Sequence, residues 1–253
     1  MDLSQPTVDE LIATLKKSDL PTILVEGVAD VRIYRKLEEQ LGSSFGNVVL
    51  CGGRTNLFEI YNQREKLSHI KLVFLADRDM WVFKNTPPEY SEIIWTHGYS
   101  IENDIYTGSD VEKLLEAAER EKFIELLKLL CNWFAFEVEE YLAGRESCEA
   151  SGVGRILNKN RDGLCQTFLG KRKYRAADLS LVKEIQNLYT LKLRGKTLFS
   201  LLSSVLSHPN RKAKHSNNGL VEMCVSLDRN PDLLKKLATL ILQKLHPQKT
   251  FGI

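Results

Sequence analysis

The stretch Lys71–Asp79, KLVFLADRD, decides the predicted fold. Leu72 to Ala76 are apolar without alternating polar positions, which predicts a strand buried on both faces of a parallel sheet. Asp77 and Asp79 follow directly, at the end of the strand where open α/β sheets bind their ligands. Two carboxylates this close repel each other unless a cation joins them, and oxygen ligands favour a hard ion such as Mg²⁺. Because an Asp-x-Asp pair is also common in solvated loops, this pair alone does not define a site.

A second acidic element follows an earlier strand candidate, Thr22–Val25. Glu26 comes directly after this strand, Gly27 permits a tight turn, and Asp30 lies at the predicted start of a helix. Because parallel strands end at the same edge of a sheet, we expect Glu26 to lie close to the Asp-x-Asp pair. The three carboxylates then form a site for a divalent metal ion. The alternative for Glu26 is a glutamate that caps the helix or faces solvent.

Four segments of the sequence resemble the TOPRIM family. VEGVAD (25–30) and ADRD (76–79) are similar to its Glu-Gly and Asp-x-Asp elements. GYSIEND (98–104) and KLRGKTLFSLL (192–202) resemble segments of the OLD-type TOPRIM nucleases, and above all of the TOPRIM effectors of PARIS-type anti-phage systems. The catalytic residues that this resemblance implies are Glu26, Asp77, Asp79 and Lys196. The metal ligands that it implies are Glu26, Asp30, Asp77, Asp79 and Glu102.

The resemblance implies a metal-dependent endonuclease that cleaves phosphodiester bonds of nucleic acid with Mg²⁺ or Mn²⁺. Such an enzyme would be the toxic effector of a bacterial anti-phage defence system, restrained by an ABC-type ATPase encoded alongside it and a homodimer when active. RNA, including tRNA, and DNA both stay open as substrates. One alternative is a non-catalytic TOPRIM-like scaffold or regulatory module that binds the ATPase. Another is a nucleotide-sugar transferase of the Asp-x-Asp type, which leaves VEGVAD unexplained.

The composition of the 253 residues is that of an ordinary globular protein. No apolar run is long enough to cross a bilayer, and the first ten residues lack the basic and apolar regions of a signal peptide. The five cysteines form no Cys-x-x-Cys pairs, which favours free buried thiols in a reducing cytosol over disulfides or zinc. We therefore expect a cytoplasmic protein that does not bind a membrane.

Charge is divided unequally along the chain. Residues 1–150 contain 16 Lys and Arg against 27 Asp and Glu, whereas residues 151–253 contain 19 against 6. This asymmetry indicates a basic face in the second half that binds a polyanion, or that pairs with the acidic half of another subunit. Basic side chains would contact phosphates there while a tyrosine stacks on a base. The predicted nucleic-acid-binding residues are Arg155, Lys159, Lys171, Arg172, Lys173, Tyr174 and Arg175.

The predicted elements begin in the order β-α-β-α-β, which is typical of a parallel sheet flanked by helices. Strands are predicted at 22–26, 48–51, 72–76 and 93–96, and helices at 7–17, 28–41, 54–67, 110–143, 178–191, 196–207 and 231–245. We predict an α/β fold with a TOPRIM-like parallel sheet flanked by helices, followed by a mainly helical C-terminal region. The predicted domains are a catalytic domain at 1–108 and a helical, basic region at 109–253, with 144–154 as a candidate linker.

Overall fold

The computed structural model describes residues 6–27, 30–42, 47–208, 211–226 and 232–246. These residues form two compact units. Unit 1 comprises the described residues of Met1–Arg78, Thr86–His97 and Asn230–Ile253, and unit 2 comprises those of Asp79–Asn85 and Gly98–Arg229. Neither unit is one continuous stretch of chain, so the division differs from the single boundary predicted after residue 108.

Unit 1 contains a sheet that has four parallel strands within the described residues. The strands are β1 (Thr22–Val25), β2 (Asn47–Leu50), β3 (Leu72–Ala76) and β4 (Ile94–Trp95), in the order β2-β1-β3-β4. The two central strands, β1 and β3, are almost entirely buried, as expected when helices cover both faces of a parallel sheet. The predicted α/β fold with a parallel sheet flanked by helices is confirmed.

The helices confirm that the chain after the sheet is mainly helical. In chain order they are α1 (Val8–Leu15), α2 (Val31–Leu41), α3 (Arg54–Asn62), α4 (Ile101–Tyr106), α5 (Ala117–Leu142), α6 (Val153–Ile156), α7 (Gln166–Arg172), α8 (Leu179–Asn187), α9 (Tyr189–Lys192), α10 (Gly195–Val205), α11 (Asn217–Ser226) and α12 (Asp232–Leu245). Short 3₁₀ turns lie at Arg64–Leu67, Asp79–Phe83, Pro88–Tyr90 and Val111–Leu114. No helix in the described part of the chain has the length and apolar character needed to span a membrane.

The helices of unit 1 begin and pack where their sequences direct them. Thr7 caps α1 in a capping box, since its hydroxyl accepts the Glu10 N–H at 3.3 Å and the Glu10 carboxylate accepts the Thr7 N–H at 2.8 Å. The apolar side of α1, including Leu11, is buried in one cluster with Leu24 of β1 and Phe74 of β3. The last helix, α12, contacts α2, β3 and β4, and therefore belongs to the sheet unit and not to the helical one.

Unit 2 is organised around α5, a helix of 26 residues within the predicted helix 110–143. Large side chains of α5 such as Trp133 and Phe134 are buried, and α8 and α10 pack against this helix. The stretch 144–154, predicted as a linker, lies inside this unit. There the Cys148 N–H donates a hydrogen bond of 2.7 Å to Glu137 of α5, which ties the stretch to the helix.

Candidate functional site

The parallel strands place the residues that follow them at one edge of the unit 1 sheet. In the strand register Val25 is aligned with Leu50 and Leu75, and Ala76 is aligned with Trp95. This carboxyl edge is where open α/β sheets bind ligands. The residues that come directly after the four strands are Glu26, Cys51, Asp77 and Thr96.

Glu26 and Asp77, predicted from separate motifs, are brought together at this edge. Oε1 of Glu26 accepts the backbone N–H of Asp77 at 3.0 Å and lies 3.4 Å from Nε of Arg54. Arg54 also donates a hydrogen bond from Nη2 to the carbonyl oxygen of Asp77. The Glu26 side chain keeps 15% of its surface exposed, so a small ligand can reach the carboxylate from solvent.

Arg54 is a residue of this site that the sequence analysis missed. It is the first residue of α3 and follows Gly52 and Gly53, whose φ angles of 80° and 131° favour glycine. The Gly53 N–H donates to the carbonyl oxygen of Glu26 at 2.6 Å, which fixes this turn beside the carboxylate. The guanidinium carbon of Arg54 lies 5.5 Å from the ring centroid of Phe58. A cation directly after a Gly-Gly turn, at the end of a predicted parallel strand, was the signal available in the sequence.

Cys51 follows β2 at the same edge, but it is a buried structural thiol. Burial raises the pKa of this thiol to about 12, and the negative charge of Glu26 contributes to the increase. The thiol is therefore protonated at neutral pH and is not a candidate nucleophile. All five cysteines are free, as predicted, but the prediction that they are buried is right for Cys51, Cys131 and Cys224 and wrong for Cys148 and Cys165, which are partly exposed.

Two backbone N–H groups of the Asp-x-Asp segment form hydrogen bonds, each within its own unit. In unit 1 the Arg78 N–H donates to Oγ1 of Thr96 at 3.1 Å. In unit 2 Asp79 begins a 3₁₀ turn, and its N–H donates to the carbonyl oxygen of Tyr99 at 2.6 Å. Asp79 has a φ of 47°, a left-handed conformation that costs a residue other than glycine about 1 kcal/mol or more. Such strained residues cluster at active sites and ligand-binding sites.

Glu102 and Lys196 form a second charged pair, which lies within unit 2. Nζ of Lys196 is 3.5 Å from Oε1 of Glu102, and the two side chains are 49% and 4% exposed. Oε1 of Glu102 is buried and accepts no hydrogen bond within the described part of the chain. A buried carboxylate oxygen is costly without a hydrogen bond, so this atom is suited to bind a cation.

The predicted metal ligands are chemically suitable for Mg²⁺, although they do not form a complete set of ligands. Asp30 is the N-cap residue of α2, and its side chain does not cap the helix. Among the residues in the five described ranges, no group of three or more His, Cys, Asp or Glu side chains is arranged to hold a metal ion. Mg²⁺ commonly binds through one or two carboxylates, with water and substrate completing its ligands. Glu26 and Asp77 supply donor atoms of the type this ion requires.

Five of the seven predicted nucleic-acid-binding residues have exposed side chains. The guanidinium of Arg155 lies over the ring of Phe168, 5.1 Å from its centroid, which leaves its edge available for hydrogen bonds. Lys159 lies in the loop before α7, and Lys171 and Lys173 lie at the C-terminal end of this helix. The five exposed residues are Arg155, Lys159, Lys171, Lys173 and Arg175.

Three of the seven predicted residues, including the exposed Arg175, contact α5. Arg172 donates two hydrogen bonds to Glu137, from Nη2 to Oε2 at 2.7 Å and from Nε to Oε1 at 3.1 Å. Arg175 forms ion pairs with two further glutamates of α5. The ring of Tyr174 packs edge-on against Phe136, with the centroids 5.2 Å apart. These contacts hold the chain after α7 against α5.

Comparison with known proteins does not assign the chain to a family. It matches no known protein-family model and none of the curated proteins with which it was compared. The function is therefore inferred from the contacts of Glu26, Asp77, Glu102 and Lys196 and from the resemblance carried by their motifs.

Proposed function

We propose that the chain is a metal-dependent endonuclease that cleaves phosphodiester bonds of nucleic acid. The observation that carries this proposal is the contact between Glu26 and Asp77 at the carboxyl edge of a parallel sheet. These two residues lie 51 positions apart in the sequence, yet the Glu26 carboxylate accepts the Asp77 N–H at 3.0 Å. The TOPRIM resemblance assigns catalytic roles to the same two residues, which supports the proposal from an independent direction.

Mg²⁺ or Mn²⁺ is the proposed cofactor. Glu26 and Asp77 would hold the ion, and the TOPRIM resemblance implies Asp30, Asp79 and Glu102 as further ligands. When bound, the ion would activate a water molecule and stabilise the negative charge that develops on the cleaved phosphate. The oxygen-only set of ligands favours these hard ions over zinc.

Cationic side chains would orient both the carboxylates and the substrate. Arg54 holds the Glu26 carboxylate through their 3.4 Å ion pair and fixes it against the Asp77 N–H. Lys196 would neutralise charge on the phosphate as it is cleaved. The exposed lysines Lys171 and Lys173 would contact phosphates along the nucleic acid and so retain the substrate.

The resemblance to PARIS-type effectors supports a biological role for such a nuclease. A nuclease that attacks the nucleic acid of its own cell must be kept inactive until it is needed. We propose that an ABC-type ATPase encoded alongside restrains it, and that release produces an active homodimer that acts in anti-phage defence. RNA such as tRNA and DNA are both candidate substrates.

A non-catalytic scaffold that binds the ATPase is the second candidate function. The observation in its favour is the Arg54–Glu26 ion pair, which gives the carboxylate a cation from the chain itself. Glu26 and Arg54 would then only stabilise the turn between β2 and α3. If the chain is a scaffold, substitution of Glu26 lowers its stability, and neither the wild type nor the variant cleaves nucleic acid in any condition.

Cleavage assays with matched variants distinguish the two functions. Full-length protein, alone and co-expressed with the ATPase encoded alongside, is incubated with plasmid and total RNA in the presence of Mg²⁺, Mn²⁺ or EDTA. Glu26→Ala and Asp77→Asn are compared with Glu39→Ala, an exposed glutamate on α2 that pairs only with a neighbouring lysine on the surface. The nuclease proposal predicts cleavage by the wild type and E39A that EDTA, E26A and D77N each abolish.

An absence of cleavage in all conditions, including those in which the ATPase has released the protein, would overturn the nuclease proposal. If the same protein forms a stable complex with the ATPase that E26A and D77N leave intact, the scaffold function is favoured. Cleavage that E26A leaves unchanged would place the active site elsewhere in the chain.

The exposed basic residues allow a separate test of nucleic-acid binding. Lys171→Ala with Lys173→Ala removes two exposed cations, and we expect the slope of log Kd against log salt to fall by about 1.8 for double-stranded DNA. Lys183→Ala, an exposed lysine on α8, is the control and should leave the slope unchanged. An unchanged slope in the double variant would place the binding surface elsewhere.

A further inference from the structure

The GYSIEND segment, 98–104, binds the backbone of residues 190–193, a connection to α10 that consists of most of α9 and the residue after it. Asn103 donates two hydrogen bonds of 2.7 Å from Nδ2, one to the carbonyl oxygen of Thr190 and one to that of Leu193, 90 residues later in the chain. The Tyr99 N–H donates to the carbonyl oxygen of Leu191, also at 2.7 Å. Three carbonyl groups within four residues of this connection are therefore held by one short segment.

The orientation of the Asn103 amide is fixed on both sides. The side chain is completely buried, and Oδ1 accepts hydrogen bonds from the N–H and the hydroxyl of Ser100 at 3.0 and 2.9 Å. The two N–H groups and the oxygen of the amide are thus all used. An aspartate at this position would direct a carboxylate oxygen at two carbonyl oxygens and would repel the segment that the asparagine binds.

Gly195 brings the two segments into close contact. A Cβ atom at this position would lie 2.7 Å from Cβ of Glu102, 2.8 Å from Oγ of Ser100 and 2.9 Å from Oδ1 of Asn103. Any larger residue would separate the segments, so glycine is required by space. The next residue is Lys196, whose position opposite Glu102 follows from this contact.

We propose that Asn103 is a positioning residue that holds Lys196 opposite Glu102. The importance of that pair for cleavage rests on the proposed nuclease function. Asn103 acts through the backbone: it fixes the carbonyl groups of Thr190 and Leu193, this fixes the start of α10, and Lys196 is then within 3.5 Å of the buried Glu102 carboxylate. This role accounts for the contact between the GYSIEND and KLRGKTLFSLL segments, which are far apart in the sequence.

The energetic coupling between Lys196 and Glu102, measured by a double-mutant cycle of unfolding, tests this role and does not require enzymatic activity. Unfolding is measured for the full-length chain with Lys196→Met, Glu102→Gln and both, in the presence of Asn103 and again with Asn103→Ala. With Asn103 present, we expect the effect of the double substitution on the unfolding equilibrium constant to differ several-fold from the product of the two single effects. With N103A this difference should vanish. Asn132→Ala, which removes a half-buried asparagine of α5 that donates to the carbonyl oxygen of Lys128, is the control and should preserve the coupling.

If Asn103 has a merely structural role, N103A would lower stability and leave the coupling unchanged, and that result would overturn the proposal.

Hydrogen exchange of residues 189–196 supplies a second readout. N103A should raise the exchange rate of this segment by on the order of tenfold or more, because two hydrogen bonds to buried carbonyls are lost. The control N132A should not change it.

A third measurement on the wild-type chain applies if no substitution at Asn103 folds. The Tyr99 amide, which donates to Leu191, should then be among the slowly exchanging amides of unit 2, and fast exchange would overturn the proposal. The failure of the nuclease function is recognised separately. A chain that never cleaves nucleic acid, but loses the Lys196–Glu102 coupling with N103A, retains the positioning role and lacks only the proposed activity.

Discussion

Arg172 provides the sharpest test of how the basic segment after α7 is used. Its guanidinium donates two hydrogen bonds to Glu137 and one to the carbonyl oxygen of Glu146. The Glu137 side chain is 0% exposed and that of Arg172 is 16% exposed. Arg172→Ala would leave a buried carboxylate whose remaining described hydrogen bond comes from the Cys148 N–H. The substitution is therefore expected to destabilise the fold.

The expected magnitude follows from the burial of Glu137. Removing one partner of a buried ion pair costs about 3–5 kcal/mol, because the other charge stays buried without compensation. Arg172 is partly exposed and the Cys148 N–H stays in place, so we expect the lower end, about 3 kcal/mol. For a chain of this size that corresponds to a decrease in Tm of about 6 to 12 °C. Arg172→Ala combined with Glu137→Gln removes the buried charge and should recover part of the loss.

Thermal unfolding of four proteins checks this prediction. The wild type, R172A, R172A with E137Q, and Lys171→Ala are compared at neutral pH. K171A removes the neighbouring exposed cation and should change Tm by about 1–2 °C at most. If R172A unfolds at the same temperature as K171A, or if the double variant is less stable than R172A, then Arg172 does not neutralise Glu137. In that case the guanidinium is free to bind nucleic acid.

Three further perturbations test other parts of the fold. Hydrogen bonds from Arg211 lower the pKa of the Glu119 carboxyl below its ordinary value of 4.5. The stability that these hydrogen bonds contribute is therefore present above pH 4.5 and is lost as the pH falls through the lowered pKa. The Tm difference between wild type and Glu119→Gln should therefore shrink between about pH 7 and pH 3, and a constant difference would contradict this. A thiol reagent should label only two cysteines rapidly in the native protein, since the side chains of Cys51, Cys131 and Cys224 are buried and the reagent cannot reach them. Rapid labelling of all five would show that those three are not buried. The two reactive cysteines are Cys148 and Cys165. Gly98→Ala would place a Cβ atom 2.6 Å from Cβ of Asn103 and should lower the free energy of unfolding by about 1–3 kcal/mol. In the control Gly163→Ala the nearest atom to the added Cβ is 3.5 Å away, so its Tm should be close to that of the wild type.

The sequence alone predicted the parts of the fold that depend on local pattern. Short apolar runs predicted β1 and β3, and the continuous apolar run of β3 predicted its burial. The proximity of Glu26 and Asp77 followed from one physical rule, that parallel strands end at the same edge of a sheet. α4 and α11 were not predicted as helices, because each is short and lacks a clear apolar stripe.

The parts that could not be predicted depend on partners that are distant in the sequence. Arg172 and Arg175 belong to a basic run, and nothing local indicates that glutamates 35 and 36 positions earlier neutralise them. Arg54 is one cation in a mixed sequence, and only the sheet register shows that it lies beside Glu26. The sequence predicted a helix at 231–245, but a helical pattern does not specify which core the helix covers.

The position of α12 in the chain has a consequence for synthesis on the ribosome. This helix packs against β3 and β4 of the sheet, yet its first residue, Asp232, is translated long after Trp95, the last residue of β4. The strands that precede Glu26 and Asp77 are therefore synthesised long before α12, one of their covering helices, because Gly98–Arg229 of unit 2 is translated in between. This order of synthesis delays completion of unit 1 until residues 232–246 have been made.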